Sequence, residues 1–265
     1  MKKLFRLYIH SSVHVSIAVL SLTAMTYYLF NLPVDNKIMF FAFFSSVVGY
    51  NCAKYGEFLL KKDISKELNI IRVLSIVSAI IAFRLFLALR FSAQVLVLCT
   101  GVLTLLYGFS LFGGKNLRNL KGIKIYIVAL CWVLITLFLP LFQSEFQINT
   151  DVWVKSVQRF LLVIILILIF EIIDLKEDEP SLKTLPQIIG VIKTKILGIL
   201  LLIVFFGLEF LLSNYRTSQL FINGILALTT ILFTLFATEN KSKYYTTFWV
   251  ESIPILWFLL TVLFR

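Results

Sequence analysis

Long apolar runs and short polar breaks alternate along the chain. The runs lie at residues 13–31, 38–56, 70–89, 93–112, 124–142, 153–173, 191–212, 218–237 and 247–264. Each is about 20 residues long, the length that an α-helix needs to cross the hydrocarbon core of a bilayer. Inside lipid the backbone must satisfy its own hydrogen bonds, so the pattern predicts helices rather than open sheet. The expected fold class is all-α, a polytopic membrane bundle of nine transmembrane helices, with residues 1–265 as one integral-membrane domain.

Composition agrees with that reading. The 265 residues are 60% hydrophobic and 15% charged, with a mean hydropathy of +0.95. A soluble domain of this size needs far more polar surface. Basic residues divide unevenly between the two sides that the runs define. The side holding the N-terminus takes 18, among them Lys2, Lys3, Arg6, Lys115, Arg118, Lys121 and Lys183, and the other side takes 7. The positive-inside rule then puts the N-terminus in the cytoplasm and, after nine spans, the C-terminus outside. The expected location is a bacterial inner (plasma) membrane. The net charge of +11 follows from this topology and from attraction to anionic membrane lipids, and calls for no nucleic-acid partner.

Other candidate chemistry is sparse. Cys52, Cys99 and Cys131 have no metal-ligand spacing and read as small buried hydrophobes. His10 and His14 stand four apart without a third ligand, which favours an interfacial role over a metal site. Glu209 and Glu251 lie in or near the membrane, where an acid is functional by default. Depth suggests Arg84 or Arg90 as the partner of Glu209, and Lys241 or Lys243 as that of Glu251.

The conspicuous feature follows the run Phe160–Phe170. Five of the 14 acids fall within nine residues: Glu171, Asp174, Glu177, Asp178 and Glu179. In a continuing helix Glu171, Asp174 and Asp178 share one face. Carboxylates this close repel one another unless a cation compensates. Two compensators fit the sequence: Mg²⁺, which accepts one or two carboxylates and completes its shell with water and phosphate oxygens, or a solvated collar of lysines such as Lys176 and Lys183.

The text around the acids resembles the UbiA superfamily of intramembrane prenyltransferases. Asp174 and Asp178 form a D-x-x-x-D after the sixth run; Lys183-Thr184-Leu185-Pro186, Gly190 and Lys193-Thr194-Lys195 follow. The resemblance implies two aspartate-rich motifs, at the cytoplasmic ends of helices two and six, holding the diphosphate of a prenyl donor through Mg²⁺. It implies catalytic Asp174 and Asp178, and metal ligation by Asp174, Asp178 and Glu171. Asn51, Lys54, Tyr107, Lys115 and Arg118 would contact the donor around one cavity. The expected function is transfer of an isoprenyl group from a prenyl diphosphate to an aromatic or other lipophilic acceptor.

The first motif departs from the family pattern. Asn51 is present, but Cys52, Tyr55 and Leu59 occupy its aspartate positions, and none is an adequate hard-oxygen ligand for Mg²⁺. Three function classes therefore stand: a prenyltransferase, a non-catalytic relative binding a polyprenyl lipid or membrane partner, and an ion transporter. The last is weakest, because the charges cluster in loops rather than at midplane.

Overall fold

The computed structural model describes residues 2–59, 65–108, 122–213 and 216–264. They form helices throughout: α1 Lys2–His10, α2 Val13–Leu29, α3 Asn36–Leu59, α4 Lys66–Phe86 and α5 Phe91–Gly108. Then come α6 Lys124–Gln143, α7 Thr150–Asp174, α8 Leu185–Ile189, α9 Val191–Leu211, α10 Thr217–Phe236 and α11 Tyr245–Leu263. Each of the nine apolar runs is helical over most of its described length. Six helices are long and apolar enough to span a membrane: α4, α6, α7, α9, α10 and α11. A seventh is counted if α1 and α2, bent by 55°, act as one. The 24-residue α3 carries Ser45, Ser46, Asn51 and Lys54 and is not among them, and α5 is shorter.

The described residues group into two compact units. The first holds α1–α5 and the last half of α6, from Leu134. Its core gathers Tyr27, Ile38, Phe41, Ala82, Leu89, Ala93, Leu96 and Leu139. α2 packs on α3, and α3 on both α4 and α5. The joint between α1 and α2 is Ser12, in the left-handed region at φ 61°. The apolar side chains Val73, Ile76, Val77, Ile80 and Phe83 of α4 are exposed at three- and four-residue spacing, the stripe of a lipid-facing helix.

Proline explains the irregular turns. Pro140 has no N–H to give the carbonyl of Thr136 four residues back. The helix widens into a π-turn over Leu134–Phe138, and the Thr26 hydroxyl donates to that carbonyl at 2.6 Å instead. The same sequence recurs in α11, where a π-turn over Tyr245–Val250 precedes Pro254.

The second unit is built around α7, which packs against the first half of α6 and against α9, and touches α8, α10 and α11. Being buried on most sides, α7 is apolar nearly all round, which accounts for the unbroken run in its middle. Near its start α7 carries a charged cluster. Glu209, 1% exposed, accepts hydrogen bonds through one oxygen from Lys155 Nζ at 2.6 Å, Gln158 Nε2 at 2.9 Å and Asn223 Nδ2 at 2.9 Å. Trp257 Nε1 donates to Asn223 Oδ1 at 3.1 Å and extends the network to α11. The partner expected for Glu209, Arg84 or Arg90, is thus corrected to Lys155, which lies on a helix packed against Glu209; Arg90 pairs with Glu145.

This network generates a stability prediction. Glu209→Ala leaves the Lys155 ammonium buried without its carboxylate, and removal of one partner from a buried pair costs about 3–5 kcal/mol. Detergent-solubilised Glu209→Ala should therefore unfold well below wild type, and Lys155→Met/Glu209→Leu should regain most of the loss. Additive losses in the double variant would contradict the pairing.

Candidate functional site

In the second unit α7 stops at Asp174, so Glu171, Asp174 and Asp178 do not share a helical face as a continuing helix would require. The chain turns instead. The N–H groups of Glu177 and Asp178 donate to the Asp174 carbonyl at 2.8 and 2.9 Å. Gln187 of α8 holds the turn from the other side, its amide nitrogen donating to the carbonyls of Asp178 and Glu179, both at 3.2 Å. Its oxygen accepts from Thr184 N–H at 3.0 Å.

Much of the K-T-L-P…G signal has a structural part. Pro186 sits in the first turn of α8, where the missing N–H costs nothing. Gly190 joins α8 to α9 at φ 83°, a conformation that side chains resist. The Thr194 hydroxyl donates back to the Gly190 carbonyl at 2.9 Å.

The acids are compensated by lysines from other segments. Lys124, at the start of α6, lies 3.1 Å from one oxygen of Glu171 and 4.0 Å from Asp178. The other Glu171 oxygen accepts from the Leu185 N–H at 3.1 Å. With Glu171 only 4% exposed, both of its oxygens are committed to holding α6 and α8 on α7. Lys176 pairs with Glu239 at 3.5 Å, and Lys243 pairs with Glu177. Hydrogen bonding to Glu177 raises Lys243 above the ordinary lysine range against the opposing effect of burial. A raised lysine contributes its stability below the unfolded pKa, about 10.4, and loses it as pH climbs through the folded value. This clamp holds across the neutral range.

Among the described residues no group of three His, Cys, Asp or Glu side chains is arranged to hold a metal. Glu171, expected as a ligand, is engaged elsewhere. Asp174 differs: it is half-buried, and no hydrogen bond or ion pair among the described residues takes its carboxylate. Asp178, Glu177, Lys124 and Lys243 are the charged groups around it. Two carboxylates at one turn suit a Mg²⁺ whose remaining ligands are water and phosphate oxygens. They do not suit a resident ion held by protein alone.

In the first unit Asn51 is fully buried on α3. Its amide nitrogen donates to Ser75 Oγ at 2.9 Å, and Ser75 donates to the Ile71 carbonyl at 2.7 Å. That leaves Asn51 Oδ1 buried with no hydrogen-bond partner among the described residues. Lys54 is exposed, its ammonium 5.8 Å from the Tyr50 ring centre. Tyr107 is half-buried near the end of α5, which packs on α3. Lys115 and Arg118 lie outside the described residues. His10 and His14 turn to different partners, Glu67 at 3.4 Å and the Tyr8 hydroxyl at 2.7 Å. His14 is buried, and Cys99 is exposed rather than buried.

The residues that sequence reasoning missed are Lys124, Gln187 and Lys243. A lysine opening an apolar run was the available signal for Lys124, but it reads equally well as topology.

No protein-family model matches the chain, and no curated protein matches it in sequence. Solved structures do match. A UbiA homolog from Archaeoglobus fulgidus, bound to GPP and Mg²⁺, is 12% identical with a TM-score of 0.64, over 97% of this chain and 98% of that one. A structure of digeranylgeranylglyceryl phosphate synthase in membranes is 16% identical with a TM-score of 0.59, over 99% and 98%. The fold is therefore that of an all-helical membrane protein. More particularly, it is the fold shared with the UbiA homolog and with digeranylgeranylglyceryl phosphate synthase over essentially the whole chain.

If Lys124 neutralises the acid turn, Lys124→Gln should let a divalent ion bind there without a diphosphate. Mn²⁺ affinity, read by loss of the free-ion EPR signal, should rise about tenfold, the change that about 1.4 kcal/mol brings. Unchanged affinity would show that the ammonium does not hold off the metal.

Proposed function

We propose that this protein is a divergent member of the UbiA superfamily, an intramembrane prenyltransferase. It takes a prenyl diphosphate as donor and transfers the isoprenyl group to an aromatic or other lipophilic acceptor. The observation that carries this reading is the full-length likeness of fold, which includes a homolog bound to GPP and Mg²⁺. The membrane path has nine spans, α1 and α2 forming the first together, with the N-terminus in the cytoplasm.

Asp174 and Asp178 are the residues that would hold Mg²⁺ together with the incoming diphosphate. The ion, when bound, supplies positive charge to the leaving diphosphate. Lys54, Lys115 and Arg118 add fixed positive charge, and Arg118 suits bidentate binding of phosphate oxygens. Asn51 holds a buried Oδ1 with no hydrogen-bond partner among the described residues, suited to a hydrated cation rather than to a phosphate oxygen, and Tyr107 offers a hydroxyl. Glu171 acts as a positioning residue, through Lys124 and the Leu185 N–H. In the reaction the C1–O bond of the donor breaks, its electron pair leaves on the diphosphate, and the acceptor forms the new bond to C1 and releases a proton.

A second reading is favoured by Cys52, Tyr55 and Leu59 in the first motif and by the Lys124–Glu171 pair. On that reading the protein binds a polyprenyl lipid or a membrane partner without transferring it.

The test is geranyl diphosphate binding by the purified protein, titrated with Mg²⁺. Wild type should bind more tightly as Mg²⁺ rises. Asp174→Asn and Asp178→Asn should each lose most of that dependence, and Glu179→Gln should change it little. Binding that ignores both Mg²⁺ and Asp174→Asn would overturn the assignment. Binding with no diphosphate release in the presence of membrane-extracted acceptors would select the second reading.

A further inference from the structure

A cavity of about 360 Å³ opens in the second unit between α10 and α11, lined by Thr229, Leu232, Phe233, Phe236, Lys241 and Tyr245. That volume falls within the roughly 300–1,000 Å³ of small-ligand sites. Its walls are rigid for a reason in the backbone. The last four carbonyls of α10 have no donor within the helix. Tyr245 hydroxyl donates to the Phe233 carbonyl at 2.7 Å, and Lys195 Nζ donates to the Leu235 carbonyl at 2.7 Å. The Tyr245 ring is thereby pinned as one wall, edge-on to Phe233 with ring centres 5.4 Å apart.

Above this apolar surface stands a cation. The Lys241 ammonium lies 5.7 Å from the centre of the Tyr245 ring, within cation–π range. Its neighbours are already matched: Lys176 to Glu239, and Lys243 to Glu177. Among the described residues no carboxylate pairs with Lys241, so the mouth of the cavity offers one ammonium that is not held in an ion pair. The same pairs place this mouth beside the acid turn after α7, at an end of the spanning helices where lipid headgroups lie. Leu232 and Phe236 are exposed, so the cavity opens to the bundle surface.

We propose that this cavity holds an anionic phospholipid of the surrounding bilayer, its phosphate on Lys241 and an acyl chain against Leu232, Phe233 and Phe236. Charge complementarity selects the headgroup, and the apolar walls select a lipid over a free anion. The inference rests on the membrane assignment and not on the donor chemistry proposed above.

Native mass spectrometry of the full chain released from mixed phosphatidylglycerol and phosphatidylcholine bilayers tests it. Wild type should retain phosphatidylglycerol preferentially. Lys241→Gln should weaken that preference about fivefold, the worth of one basic residue at an anionic surface. Thr229→Phe, which fills the cavity and leaves the charge, should lower retention too. Lys66→Gln, an exposed lysine in the other unit, should not. Equal retention by wild type and Lys241→Gln would overturn the proposal. So would displacement of the lipid by glycerol phosphate, which would mark a free-anion site, or by geranyl diphosphate, which would assign the cavity to the donor. Asp174→Asn should leave lipid retention intact, which keeps this outcome separate from the fate of the prenyl-transfer reading.

Discussion

A carboxylate at the edge of a low-dielectric bundle must have a cation within reach, and that demand organises the second unit. Desolvating an ion costs several kcal/mol unless attraction and hydrogen bonds return it. The chain meets the demand twice with lysine. Lys155 serves Glu209 near the start of α7, and Lys124 serves Glu171 near its end. Both acids sit on or against α7, the most enclosed helix, so these pairs do more than decorate a surface. They fix α6 and α9 to α7, and with the Leu185 N–H they fix α8 as well. Asp174 is spared, and its availability for a ligand follows from the engagement of its neighbours.

Backbone accounting shapes the helices in the same way. Pro140 and Pro254 each remove a donor from a spanning helix, and each is preceded by a π-turn. Where the displaced carbonyl is that of Thr136, a hydroxyl from α2 supplies the missing hydrogen bond. In water such defects are cheap. In hydrocarbon each needs a named partner, and the Thr26 contact supplies one.

Much of the fold was legible because lipid imposes one rule on every span. The nine runs are long, apolar and nearly free of charge, and each is helical over most of its described length. Charge pairing was not legible. Lys124 and Glu171 are distant in sequence and meet because α6 packs on α7, and no local pattern encodes that. The run 153–173 did place the end of α7 close to Asp174, but the i, i+3, i+7 spacing of the acids could not show whether the helix continues to Asp178. The K-T-L-P stretch was read as chemistry, while Pro186, Gly190 and Thr194 also have ordinary capping and turn duties.

The central claim is that lysines already engage Glu171 and Glu177, so the remaining carboxylates of the turn hold a divalent ion only with a diphosphate that brings its own oxygens. The most direct measurement is Mn²⁺ binding by wild-type protein, followed by EPR, first alone and then with geranyl diphosphate. The account predicts little loss of the free-ion signal from protein alone and clear loss once both protein and geranyl diphosphate are present, beyond what the diphosphate causes by itself. Tight Mn²⁺ binding without diphosphate, or no protein-dependent binding with it, would contradict the account.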